Sequence, residues 1–272
     1  MKKRNFKILA TVVACALTMT LFTQCKKDEN KPTPTPSPSS EVHFTQQYMV
    51  IVRTNGDTIT SSTEDLVWEN GLLRSIHASS CMHSSGTIIG GDQTYIYDND
   101  GNCIESHYTS NSPGNPGHDE YYTYEGGRMI RAVALTGGDT TERVTITGHT
   151  ADGHIQALTI EYLTSGTVKE FQITWENGDM TAYTEHPVTP AGEDKSFTIE
   201  YDNYPNIHTG MPVADAVFDP QMIAPRASVH NWKILDQEYF YKNGRLVKSS
   251  KNTSYLYNVS YYTYSDGTTG RE

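Results

Sequence analysis

A unit of about 26 residues recurs through most of this chain, and it restricts the fold more than any other feature. Each copy runs aromatic–x–aromatic, then a turn of Asp, Glu, Asn and Gly, then an alternating apolar strand. The copies are VWENGLLRSI (67–76), YIYDNDGNCIES (95–106), YTYEGGRMIRAV (122–133), ITWENGDMTAY (173–183), YFYKNGRLVKSS (239–250) and YTYSDGTT (262–269). ITGHTADGHIQAL (146–158) is a degenerate copy, and IEYDNYPN (199–206) keeps the strand without the glycine. The anchors Trp68, Tyr97, Tyr124, His149, Trp175 and Tyr201 are spaced 29, 27, 25, 26 and 26 residues apart, which suits two short strands and two turns per unit. Asn-Gly and Asp-Gly between alternating runs mark tight hairpins, whose central residues need φ > 0. Gly71, Gly101, Gly127, Gly178 and Gly244 are the residues expected to supply it. Alternation in Arg128-Met129-Ile130-Arg131-Ala132-Val133 gives one packed face and one wet face, as an antiparallel sheet allows. Helical periodicity is confined to PVADAVF at 212–218. The expected fold class is all-β: an antiparallel meander of about 14 to 16 strands built from repeated hairpins, curled or barrel-like to hide its edges.

The N-terminus carries an address. Lys2, Lys3, Arg4 and Lys7 precede an uncharged stretch at 8–22, about 22 Å long as a helix at ~1.5 Å per residue. A membrane span needs about 20 apolar residues. A cationic start with a short apolar core is the signal-peptide pattern. Leu21-Phe22-Thr23-Gln24-Cys25 resembles a lipobox, with Gln24 in place of the usual small residue, so residues 1–24 are expected to be a lipoprotein signal peptide and Cys25 the lipidation site. Lys26-Lys27-Asp28-Glu29 resembles the surface-export signal of Bacteroidetes lipoproteins, and NKPTPTPSPSS (30–40) has the composition of an extended tether. The expected organisation is a lipidated cysteine and Pro/Ser/Thr-rich tether at 25–40, then a single β domain at 41–272. The expected location is the outer membrane, lipid-anchored and exposed at the cell surface.

The YxYDxxG(R/N)(L/I) unit resembles the YD repeat of secreted bacterial shell proteins. With the lipobox and the tether, these repeats resemble an uncharacterised Bacteroidetes lipoprotein family, a domain of unknown function with a porin-like fold, over most of residues 41–272. The resemblance implies an open or closed barrel-like antiparallel sheet. It brings no catalytic residues.

Charge narrows the partners. The chain has 21 Lys and Arg against 32 Asp and Glu; loss of the four leader cations leaves 17 against 32, or −15. That surface repels nucleic-acid phosphates, so no nucleic-acid partner is expected, and membrane contact is expected through the lipid anchor only. Nothing in the motifs points to a cofactor. His77, Cys81 and His83 are metal-capable, yet in one straight strand they spread over about 20 Å, and no metal is expected. Asp98-Asn99-Asp100-Gly101 reads as a hairpin turn rather than a calcium loop, and Glu69, Glu125 and Glu176 read as turn chemistry. Cys81 and Cys103 are disulfide candidates, closing 22 residues. Thr58 and Thr140, each preceded by Asp, resemble O-glycosylation sites of Bacteroidetes.

Eighteen tyrosines, many paired at i and i+2, give aromatic rows on one strand face. Tyr239, Tyr241, Tyr262 and Tyr264 are the candidates for stacking on a ligand, glycan or envelope protein. The repeat spacing breaks once, between Tyr201 and Tyr241, leaving an insertion at about 203–236 that serves either as a functional loop or as a plug over the sheet. Two functions follow. The favoured one is a non-enzymatic surface binding or interaction module, which needs an exposed aromatic row. The other is a hydrolase or lyase acting on polysaccharide, which needs Asp215 or Asp219 to converge with Glu238.

Overall fold

A computed structural model describes residues 42–233, 237–253 and 256–271. The leader, Cys25 and the tether lie outside the described residues. The first strands are β1 (Phe44–Arg53), β2 (Thr58–Glu69), β3 (Leu72–Met82), β4 (Thr87–Tyr97), β5 (Cys103–Ser110) and β6 (His118–Glu125). Next come β7 (Arg128–Thr136), β8 (Asp139–His149), β9 (Ile155–Tyr162), β10 (Thr167–Glu176), β11 (Asp179–Thr189) and β12 (Lys195–Thr198). A short pair, β13 (Glu200–Pro205) and β14 (His230–Lys233), flanks two 3-10 turns, Ala214–Phe218 and Pro220–Met222, and helix α1 (Ile223–Ala227). The chain ends with β15 (Gln237–Lys242), β16 (Arg245–Asn252) and β17 (Leu256–Tyr264).

Fifteen of these strands form one antiparallel sheet in the order β12 back through β1, then β17, β16 and β15. The expected meander is therefore present, and the sheet is not closed. The last hairpin returns to the first strand, with Phe44 opposite Tyr264 and Tyr48 opposite Tyr261. The turn residues behave as their chemistry requires. Asn70-Gly71, Asn177-Gly178, Asn243-Gly244 and Gly126-Gly127 all have positive φ at both positions.

The repeat has a physical cause at the end of the sheet that carries these turns, here called the rim. Just before the turn the register slips by one residue, between Val67 and Trp68, Ile96 and Tyr97, Thr123 and Tyr124, and Thr174 and Trp175. Each bulge leaves a ladder carbonyl nearby unpaired. The anchor aromatic satisfies one on the preceding strand. Trp68 Nε1 donates to the Phe44 carbonyl at 2.8 Å, the Tyr97 hydroxyl to Leu73 at 2.8 Å, the Tyr124 hydroxyl to Cys103 at 3.0 Å and Trp175 Nε1 to Ile155 at 2.8 Å. The Tyr264 hydroxyl reaches Leu246 at 2.7 Å, and Tyr201 reaches Met180 at 2.7 Å although its strand has left the large sheet. Phenylalanine has the ring without the donor, which explains why the anchors are Trp, Tyr or His.

The core lies on the concave face. Leu73, Val144, Leu158, Ile160 and Met180 are buried there, and the insertion packs upon them with Val217, Ile223 and Ala224 fully covered. Burying an Ile or Val side chain contributes about 1.5–3 kcal/mol, so these residues help to hold the segment down. The insertion is a plug. Its 212–218 stretch forms only the five-residue 3-10 turn, and α1 is as short, with Pro225 inside it.

The convex face is mostly polar along mid-strand, with Tyr121 exposed among the charged groups. His77 pairs with Asp92 at 2.6 Å, and His107 lies between Glu105 at 3.1 Å and Asp119 at 2.8 Å. Arg131, Arg143 and Glu170 continue this face, exposed, across β7, β8 and β10.

Candidate functional site

Where the rim meets the plug the molecule keeps a cavity of about 330 Å3. Successive repeats supply its wall: Tyr97 from β4, Tyr124 from β6, His149 from β8 and Trp175 from β10. The polar tips of these aromatics are committed to backbone, His149 to Met129 in the same manner as its neighbours, so ring faces rather than hydroxyls are offered. Met129, Ile155, Met211 and Ile223 make the floor. His154 stacks on Trp175 with ring centres 4.3 Å apart, and Arg128 stands at the mouth, donating to the Ala151 carbonyl at 3.1 Å. Burial and the adjacent Arg128 charge push the His149 imidazole down, which keeps it neutral near pH 7. Burial raises the Cys103 thiol in the same wall to about 12, so it is no nucleophile. Among the described residues no Asp or Glu lines the cavity, in a chain of net charge −11.

Below the cavity a polar cluster ties plug to sheet. Asp215 of the plug accepts the Tyr95 hydroxyl at 3.0 Å and pairs with Arg226 at 3.6 Å. Burial raises Asp215, and Arg226 pulls it back. His208 is driven down to about 3 by burial and by Arg226, so it stays neutral beside that charge. Glu120, 7% exposed, accepts the Tyr122 hydroxyl and is raised to about 7 by burial. An acid raised in the folded state keeps its full contribution below its unfolded value of 4.5 and loses it as pH rises through 7. Glu120→Gln is therefore expected to stabilise the protein at pH 8 by about 3 kcal/mol, with the gain vanishing below pH 4.5, as read by urea unfolding at both pH values.

The residues named from sequence distribute differently from expectation. Tyr262 and Tyr264 are 7% and 5% exposed, Tyr262 bonded to Ser249 and Tyr264 to the Leu246 carbonyl. Tyr239 and Tyr241 are half-buried; Tyr241 bonds to Asp202 and stacks on Tyr204 at 3.8 Å, while Tyr239 contacts Trp232. The expected exposed row is thus packed, Tyr262 and Tyr264 in the core and Tyr239 and Tyr241 against it, because this face of β15 and β17 is the concave one that the plug covers. The Cys81–Cys103 disulfide is likewise corrected. Both cysteines are free, and register places Cys81 opposite Ile88 and Cys103 opposite Tyr97, nine residues apart along β4. That is about 30 Å at ~3.3 Å per residue, where a disulfide needs Cα atoms within about 7 Å. Asp215 faces the sheet from within the plug, whereas Glu238 is exposed on the opposite face of β15 from Tyr239 and accepts from Ser250, so this carboxylate pair does not converge. Asp219 is exposed and accepts the Gln221 amide. Asp98 caps its own turn, accepting from Asp100 and Asn102. His77 and His83 are taken by Asp92 and Ser61. Thr58 is exposed and Thr140 half-buried, both beside hairpin turns at the end away from the rim. The cavity was missed in sequence because its lining is assembled from eight strands, β3 to β10, and the plug. The only signal was that the anchors share one end.

No protein-family model and no curated protein matches the chain. Among solved structures, a porin-like protein from Bacteroides uniformis aligns over 81% of this chain and 97% of its own length, with a TM-score of 0.53 at 12% identity. The Tc holotoxin pore of Photorhabdus luminescens aligns over 73% of this chain and 14% of its own at 14% identity. A TcdB2–TccC3 structure aligns over 75% and 10% at 15% identity. Both score 0.21, and no likeness of fold is drawn from them. What the chain shares with the Bacteroides protein is the fold: an all-β, porin-like sheet.

Proposed function

We propose that this protein is a lipid-anchored, surface-exposed outer-membrane lipoprotein whose β domain is a non-enzymatic binding module for a compact amphipathic ligand with an anionic head. The observation that carries the reading is the acid-free cavity at the rim, with apolar floor, aromatic wall and Arg128 at its mouth. A volume of this order suits a small ligand. In a molecule so acidic elsewhere, a lining without a carboxylate favours an anion there over a cation.

The anchor, rather than the sheet, is assigned the membrane contact. A spanning barrel turns an apolar band outward, and a lysine or arginine on the lipid face costs about 2–4 kcal/mol at the midplane. Here the convex face carries His77–Asp92, Arg131, Arg143 and Glu170. The lipobox-like Cys25 and the Bacteroides source of the structural neighbour support an envelope address.

Calorimetric titration of the full chain with decanoate and with decanol tests the reading. Decanoate is expected to bind better than decanol. Arg128→Gln is expected to weaken decanoate about tenfold, the low end of a charge-assisted hydrogen bond, and Leu72→Trp to abolish binding by filling the cavity. Equal affinity for acid and alcohol, or normal binding by the Leu72→Trp variant, would reject it.

A further inference from the structure

We infer that the open edge of the sheet holds a second binding site, one that takes the pyranose ring of a glycan. A cleft of about 430 Å3 lies there between the concave face of β9 to β12 and the plug residues around Asp219. Its floor is a flat aromatic pair, Tyr183 on Phe197, with ring centres 4.6 Å apart and planes within 15°. Phe197 belongs to the terminal strand and is 41% exposed. A phenylalanine in that position does nothing to block a free edge, for which Lys, Pro or shortness suffices. A stacked, half-open ring pair instead presents an apolar plane of the size of a sugar's C–H face.

Around this plane the cleft has donors and acceptors in close array. Lys169 lies 5.9 Å above the Tyr162 ring and 3.1 Å from Glu185, which Lys195 also approaches at 3.7 Å. Asp219 faces them from the plug. Among the described residues neither the Tyr162 nor the Tyr183 hydroxyl has a hydrogen-bond partner, whereas the rim anchors spend theirs on backbone carbonyls. An apolar plane ringed by ammonium, carboxylates and unspent phenols matches a polyol ring, which needs both donors and acceptors on its edge. It does not match a lipid tail, which would leave those groups unpaired, or a polyanion, which the carboxylates repel. The site is chemically unlike the rim cavity, which contains no acid, and does not depend on it.

The test is a glycan array probed with the full chain, followed by titration of the strongest array ligand. Phe197→Ala and Tyr183→Ala are expected to weaken that ligand at least tenfold, Tyr183→Phe to weaken it less than Tyr183→Ala because the ring plane stays, and Leu72→Trp to leave it unchanged. Phe197 sits exposed on a four-residue edge strand, so its variant is expected to melt at the wild-type temperature and to bind decanoate normally. Those two readouts separate a lost site from a lost fold, and separate failure here from failure of the rim reading. An array without any bound glycan, binding indifferent to Phe197→Ala and Tyr183→Ala, or loss of binding in the Leu72→Trp variant would each overturn the inference.

Discussion

Replacing Arg226 by leucine is expected to destabilise the protein by about 3–5 kcal/mol, the loss that follows when one member of a buried ion pair is removed and the other stays. Arg226 and Asp215 have side chains only 16% and 11% exposed, and Oδ1 of Asp215 already lacks a hydrogen-bond partner. Without the guanidinium, only the Tyr95 hydroxyl and local backbone hydrogen bonds offset burial of the carboxyl, whose folded-state pKa climbs further above its ordinary 3.8. A carboxyl raised in this way costs nothing at a pH below 3.8 and progressively more as pH rises through its folded value. The loss measured by urea unfolding is therefore expected to be larger at pH 8 than at pH 4. Asp215→Asn added to Arg226→Leu is expected to restore most of it at pH 8. Equal losses at the two pH values would show that Arg226 acts by packing rather than by charge.

Gly91→Ala is expected to cost about 3 kcal/mol, at the upper end for inserting a single carbon into a packed site. Neither Gly91 nor its neighbour Gly90 has positive φ, so the demand for glycine is one of space. A Cβ on Gly91 would stand 2.2 Å from the Thr109 carbonyl oxygen and 2.8 Å from the Tyr108 ring; on Gly90, 2.0 Å from the Ala78 oxygen. Backbone rather than a flexible side-chain end is in the way on both sides, so the adjoining strands would have to part. Gly148→Ala on β8 is the control. Its Cβ would meet the Ala157 methyl at 3.4 Å, an ordinary contact, and the change is expected to lie within about 0.5 kcal/mol of neutral. Comparable melting of the two variants would remove close strand approach at Gly90–Gly91 as a requirement of the fold.

The repeat made the fold legible, because its parts are local. Asn70-Gly71 and Asn177-Gly178 need only their own two residues to turn the chain, and the anchors Trp68, Tyr97, Tyr124 and Trp175 reach only the adjoining strand. Tyr262 and Tyr264 were misplaced for a different reason. Spacing of two puts them on one face, but which face the plug covers is a property of residues 203–236 and of nothing near 262. Cys81 and Cys103 needed register, which no pattern in their own strands provides. The need for glycine at Gly90-Gly91 depends on Ala78 and Thr109 across two ladders, which nothing in their own strand shows. The rim cavity collects Leu72, Arg128, His154 and Met211 from four places in the chain, and its lack of acid can be seen only once they are together.

Crystals of the full chain soaked in bromodecanoate would test the binding reading most directly, by locating the bromine through its anomalous signal. The expected result is a carboxylate against Arg128 with the bromine between Met211 and Ile223, in the cavity walled by Tyr124 and Trp175. An empty cavity with the bromine elsewhere, or no ordered bromine at saturating concentration, would contradict it.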